Sequence, residues 1–130
     1  MNAENFGKYI KNLRSDRNLT LRQLEIKSGV SNSYLSQLEN GKRGIPSPDI
    51  LRKLSLALGV SYQELMAVAG YLPDNNTVTK GDMKQYNKFV EHAQIFFNNN
   101  EIDQKDKDKI FRDITDLFWD AKDKSKKNTK

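Results

Sequence analysis

Four short polar side chains, Asn32, Ser33, Ser36 and Gln37, recur at spacings that put them on one side of a helix running to about Asn40-Gly41. Tyr34, Leu35 and Leu38 fall on the opposite side. The polar side carries no Lys, Glu or large apolar residue, unlike an ordinary solvated helix face. Amides and hydroxyls donate and accept at close range, which is the chemistry needed to read base edges in a DNA major groove. The competing reading is an exposed face that is polar and nothing more. Thr20 and Arg22 lie on one side of this helix in sequence, and Asn40, Lys42 and Arg43 at its other end. Lys42 and Arg43 stand between Gly41 and Gly44, where main-chain N–H groups and positive charge can approach one phosphate strand.

A second short helix must position this one. Thr20 is a good N-cap, and Gln23 completes a capping box. Leu21 and Leu24 share a face. Gly29 supplies the positive φ of a sharp helix exit, Val30 fits beneath the turn as an apolar plug, and Ser31 caps the following helix.

The run Thr20, Leu24, Gly29-Val30-Ser31, Leu35, Glu39-Asn40-Gly41-Lys42 and Pro46 resembles the Xre/Cro/CI family of helix-turn-helix DNA-binding repressors, over roughly residues 4 to 70. It departs at Leu21, where the family often has a phosphate-binding Gln, and at Glu25, where a small core residue is usual. The resemblance implies an all-α, five-helix, lambda-repressor-like bundle. It also implies a sequence-specific transcriptional repressor acting as a homodimer on double-stranded DNA. Asn32, Ser33, Ser36 and Gln37 would contact bases, and Thr20, Arg22, Asn40, Lys42 and Arg43 phosphates. In the family an Arg at the position of Arg14 pairs with the Glu at the position of Glu39, fixing the recognition helix. The alternative is a protein-interaction module, such as an antitoxin or adaptor, whose DNA contacts are secondary.

The 130 residues carry 22 Lys/Arg against 17 Asp/Glu, a net charge of +5. The excess is unevenly spread: residues 1–72 are net +4, residues 82–121 net −3 and residues 122–130 net +4. A basic front and an acidic middle fit a DNA-binding head joined to a module of another kind. The absence of cysteine excludes disulfides and thiolate metal ligands. No apolar run approaches the roughly 20 residues of a membrane span, and the expected location is cytoplasmic. The single histidine, His92, lies just off an apolar stripe, and Ser125 sits in a lysine-rich tail. Neither has the oriented partners that catalysis or metal binding requires, so no enzyme activity, cofactor or metal site is expected.

In the rest of the head, Phe6, Tyr9, Ile10 and Leu13 form the stripe of a first helix over about Asn5 to Arg17. Ser47, with Pro48 and Asp49 behind it, is expected to cap a fourth helix whose core face is Ile50, Leu51, Leu54, Ala57 and Leu58. Ser61 and Glu64 read as a capping box for a fifth, which ends the head at residue 72. A linker over 73–81 leads to a helical hairpin over 82–121, then a basic tail over 122–130 expected to be disordered. One hairpin stripe is Met83, Tyr86, Phe89, Val90, Ala93, Phe96 and Phe97; the other is Ile110, Phe111, Ile114, Leu117, Phe118 and Ala121. Asn98-Asn99-Asn100 is a turn and Asp103 a cap. Ile95 and Trp119 lie off these stripes, which marks them for a dimer or partner interface. The arrangement also resembles small Gram-positive regulators controlled by an antagonist protein, which implies such a partner here.

Overall fold

The computed structural model describes residues 2–73, 78–98 and 101–128, with side chains described to Lys124. Among these residues there are seven helices and no strand. They are α1 (Ala3–Asp16), α2 (Leu21–Ser28), α3 (Asn32–Glu39), α4 (Pro48–Leu58), α5 (Tyr62–Val68), α6 (Lys80–Phe97) and α7 (Gln104–Asn128).

The first five close around an aliphatic core. Leu24, Leu35, Leu38, Leu51, Leu54, Leu58 and Leu65 are all fully buried. Each such side chain contributes about 1.5–3 kcal/mol relative to exposure. Thr20 and Gln23 form a reciprocal capping box at the start of α2. Gly29 ends α2 in the left-handed region at φ 76°, a conformation costly for a residue with a Cβ. Val30 is buried beneath the turn. Gly7 allows the closest helix contact: a Cβ there would stand 2.2 Å from the Leu38 carbonyl oxygen. Helix α1 therefore crosses the end of α3 almost backbone to backbone.

Helices α6 and α7 form an antiparallel hairpin. Phe89 stacks on Phe118 with ring centroids 5.1 Å apart, and Phe97 meets Phe111 edge-on at 6.1 Å. The hairpin also docks on the head, because Tyr86, Val90 and Phe111 join the same apolar cluster as the head leucines. Two polar contacts cross this seam, Trp119 to Tyr71 and Tyr34 to Asp108, and two more brace it from within the head and within the hairpin. Tyr71 Oη donates to the Pro46 carbonyl at 2.6 Å, and Trp119 Nε1 to the Tyr71 carbonyl at 2.8 Å. The Tyr86 and Thr115 hydroxyls lie 2.9 Å apart. Tyr34 Oη donates to Asp108 Oδ2 at 2.7 Å.

Several local expectations are corrected. Trp119 does not face outward: it is half-buried and packs on Tyr86 at 5.0 Å. Helix α7 has two contact faces, one of phenylalanines toward α6 and one where Asp108 and Trp119 reach the head and Thr115, between them, meets Tyr86 of α6. Spacings of seven and eleven residues put those three in one row, but two of them are polar, so hydrophobic periodicity did not register the row. Conversely, Phe96 and Leu117 are exposed, at the edges of the stripes that were to bury them. Helix α6 starts at Lys80, inside the expected linker, because Thr79 and Asp82 form a capping box. Helix α7 runs on to Asn128, through most of the segment expected to be a disordered tail. Lys and Asp are tolerable helix formers, and Asp120 and Lys124 stand in favourable i, i+4 register. Its Lys122 reaches Gln85 and lies 3.8 Å from Asp82 on α6. Ser47 occupies the N-cap of α4 without a capping bond. Ser61 accepts from the Glu64 N–H, but the Glu64 carboxylate accepts from Tyr9 Oη at 3.3 Å. Asn99 and Asn100 of the expected turn, and residues 74–77 of the linker, lie outside the described residues.

Candidate nucleic-acid interface

Helix α3 is held at both ends. At its start, Ser31 Oγ accepts from the Tyr34 N–H at 3.1 Å, and Glu25 Oε2 from the Asn32 N–H at 2.8 Å. Glu25, a departure from the family pattern, is thus a second cap, its carboxylate placed at the positive end of α3. An acidic residue one helix earlier, near a following N-terminus, was the signal for this role. At the other end, Arg14 grips Glu39 through two parallel bonds, Nε to Oε2 at 2.7 Å and Nη2 to Oε1 at 2.9 Å. Arg14 Nη1 also donates to the Leu19 carbonyl at 2.7 Å. The Glu39 hydrogen bond pushes the Arg14 guanidinium pKa up further. One fork therefore ties α1, the α1–α2 loop and α3 together.

Between these anchors, Tyr34, Leu35, Leu38 and Glu39 are buried. On the other side, Ser33 and Gln37 are exposed, and Asn32 and Ser36 half-buried. This face presents amide and hydroxyl groups on a helix whose register cannot shift without breaking both caps and the Arg14 fork.

The five cationic or polar candidates around α3 differ in how they are held. Thr20, Arg22, Asn40 and Lys42 are exposed. Thr20 Oγ accepts from the Gln23 N–H at 3.1 Å, and Asn40 Nδ2 donates to the Ser36 carbonyl at 2.9 Å. Arg43 is half-buried. Its guanidinium lies over the Tyr34 ring, 4.3 Å from the centroid, and its Nε donates to Gln37 Oε1 at 3.0 Å. Its Nη1 is shielded from solvent without a hydrogen-bond partner.

Sequence reasoning missed the layer behind this face, because Tyr34 read as a core residue and Asp108 as a solvated charge. Asp108 is buried. Besides Tyr34 Oη, it accepts at Oδ1 from the Ser47 N–H and from Gln104 Nε2, both at 2.8 Å. Burial, then the Asp108 charge, pushes the Tyr34 phenol pKa far above its ordinary value. Nearby, a Cβ on Gly44 would overlap the Arg112 guanidinium, so Gly44 lets α7 lie against the loop after α3. An Asp four residues after a Gln, beside the face of the phenylalanines, was the available signal.

Of the two residues expected at an interface, Ile95 is exposed, whereas Trp119 is engaged with the head. His92 is exposed. Among the described residues no three His, Asp or Glu side chains group in a way that could hold a metal ion. No described helix is long and apolar enough to cross a membrane.

The family model described as a helix-turn-helix domain matches residues 7–71. The chain is 46% identical over 71 residues to the HTH-type transcriptional repressor RghR of Bacillus subtilis, covering 55% of this chain and 53% of that one. It is 40% identical over 67 residues to the uncharacterized HTH-type transcriptional regulator y4dJ of Sinorhizobium fredii, covering 52% of this chain and 86% of that one. A solved SinR protein/SinI protein complex matches with 28% identity and a TM-score of 0.45, over 72% of this chain and 99% of that one. The matches to RghR and its B. subtilis relative RghRB span about half the length of those proteins. With the family model covering half of its residues, and α2 and α3 forming the motif at its centre, the chain belongs to the helix-turn-helix domain family.

Proposed function

We propose that this chain is a sequence-specific DNA-binding transcriptional regulator, a homodimeric repressor that reads its operator through the major groove with α3. The observation that carries this reading is the outward face of α3: Asn32, Ser33, Ser36 and Gln37, without a long charged arm, on a helix pinned at both ends. Gln37 and Asn32 carry amides able to pair with a base at two points, adenine above all. Ser33 and Ser36 add single or water-bridged bonds. Thr20, Arg22, Asn40 and Lys42 surround the face and suit phosphate oxygens, which set register and supply most of the salt dependence. The relative RghR bears the name of a transcriptional repressor, which supports the same direction of control.

Dimerisation belongs to the hairpin. Ile95, Phe96 and Leu117 are large, apolar and exposed on α6 and α7, and the helix phases put Phe96 and Leu117 along the edges of the α6–α7 groove. With Trp119 turned inward, these three replace it as the interface. An antagonist protein would compete for the same surface. Two experiments test the reading. Sedimentation of the full chain should give a dimer, and Phe96→Glu with Leu117→Glu a monomer of unchanged helix content. Footprinting should show two half-sites about 34–36 Å apart, or a multiple of that. A single protected half-site, or a double variant that still dimerises, contradicts the homodimer.

A further inference from the structure

We propose that Arg43 is a positioning residue for base reading and not a phosphate contact, and that Asp108 of α7 holds it in place through Tyr34. The proposal rests on Gln37 as a base reader and adds what fixes its amide. Arginine has donors only, so the Gln37 atom facing Arg43 Nε must be the carbonyl oxygen. The 3.0 Å bond therefore sets which way the amide points and directs its NH2 group away from Arg43. Oε1 keeps a second lone pair. That lone pair and Nε2–H together match the N6–H donor and N7 acceptor of adenine.

Arg43 can do this because it is itself held. Its guanidinium lies over the Tyr34 ring, with Cζ 4.3 Å from the centroid, and its Nη1 has no access to solvent. A phosphate hook needs its donors free, as in the adjacent and exposed Lys42. Tyr34 cannot swing away, because its hydroxyl is bonded to the buried Asp108 carboxylate at 2.7 Å. Asp108 is fixed in turn by the Ser47 N–H at the head of α4 and by Gln104 one turn earlier on α7. The sequence of contacts Asp108, Tyr34, Arg43, Gln37 runs from the C-terminal helix to the groove-facing amide. The seating of α7 on the head thereby sets the conformation of a base reader.

The test compares full-length wild type, Gln37→Ala, Arg43→Lys and Tyr34→Phe. Each is used to select from a randomised duplex library, and each is then titrated with salt on the selected duplex. Arg43→Lys keeps the charge but loses the Nε–H and the planar stack. It should relax base preference at the position that Gln37→Ala also relaxes, and at no other. The relaxation should be about two- to tenfold, the scale of ordering one long side chain on binding, with the salt slope unchanged. Tyr34→Phe should relax the same position to a smaller degree. If Gln37→Ala changes no preference, Gln37 is not a reader and the underlying assignment fails. If Gln37→Ala relaxes one position and Arg43→Lys leaves it intact, or lowers the salt slope, the positioning role is overturned and Arg43 contacts phosphate.

Discussion

The interior of the head and the seam between the head and α7 are built from different materials. The head is closed by leucines from α2, α3, α4 and α5, all fully buried. The seam is closed by Tyr34 on Asp108 and by Trp119 on the Tyr71 carbonyl, backed by the Tyr71–Pro46 bond within the head and the Tyr86–Thr115 bond within the hairpin. Aliphatic packing is non-directional, so it specifies that helices associate and leaves their fine register to shape. Hydrogen bonds between buried groups are directional, and losing one partner leaves the other uncompensated. The head's fold is thus secured by area, and the seating of α7 by geometry. Helix α3 belongs to both regions, with Leu35 and Leu38 in the core and Tyr34 in the seam.

The largest expected effect falls on the fork that joins α3 to α1. Arg14→Met leaves the Glu39 carboxylate, which is 4% exposed, without its cation. The expected loss is about 3–5 kcal/mol, read as a fall in the thermal midpoint. A variant that melts normally yet fails to bind DNA would make Arg14 a DNA contact. Leu54→Ala opens a cavity in the head core and should cost about 2–5 kcal/mol, with head and seam unfolding together. Separate unfolding of the two would show that the seam has its own stability.

Raising the pH acts on the tyrosines that the fold buries. The phenol pKa values of Tyr34, Tyr71 and Tyr86 are all raised, first by burial. The unfolded chain ionises near pH 10 while the folded chain keeps its protons. Stability is therefore full below about pH 10 and falls as pH rises further, by about 1.4 kcal/mol per pH unit for each tyrosine. Denaturant melts at rising pH check this, and Tyr86→Phe should flatten the slope; an unchanged slope would mean Tyr86 is not shielded. The smallest effect is that of Trp119→Phe. It keeps an aromatic ring and loses the bond to the Tyr71 carbonyl, for about 0.5–1.5 kcal/mol. If instead this change dissociated a dimer without loss of stability, Trp119 would return to the interface.

The same contrast explains what could be read in the sequence. The head was legible, because Leu24, Leu35, Leu38, Leu51, Leu54 and Leu58 repeat at helical spacing between Thr20, Gly29, Ser31 and Gly59. The outward face of α3 was legible for the same reason. The docking of α7 was not, because Asp108 and Thr115 are polar at positions that tertiary structure buries, and a hydrophobic pattern gives them to solvent. Trp119 was misplaced by that error, having been measured against the stripe of Ile110, Ile114 and Leu117. Arg43 was grouped with Lys42 on charge and position alone; the Tyr34 ring beneath it and its bond to Gln37 separate the two.

The central claim is that the outward face of α3 discriminates between DNA sequences. It is tested most directly by the affinity of Gln37→Ala and Lys42→Ala, each on a selected duplex and on random duplex DNA. Gln37→Ala should lose about 1–3 kcal/mol on the selected duplex and little on random DNA. Lys42→Ala should weaken both alike and lower the salt slope by about one unit. Equal loss for Gln37→Ala on both duplexes would contradict the claim and leave α3 as a polar helix that does not read sequence.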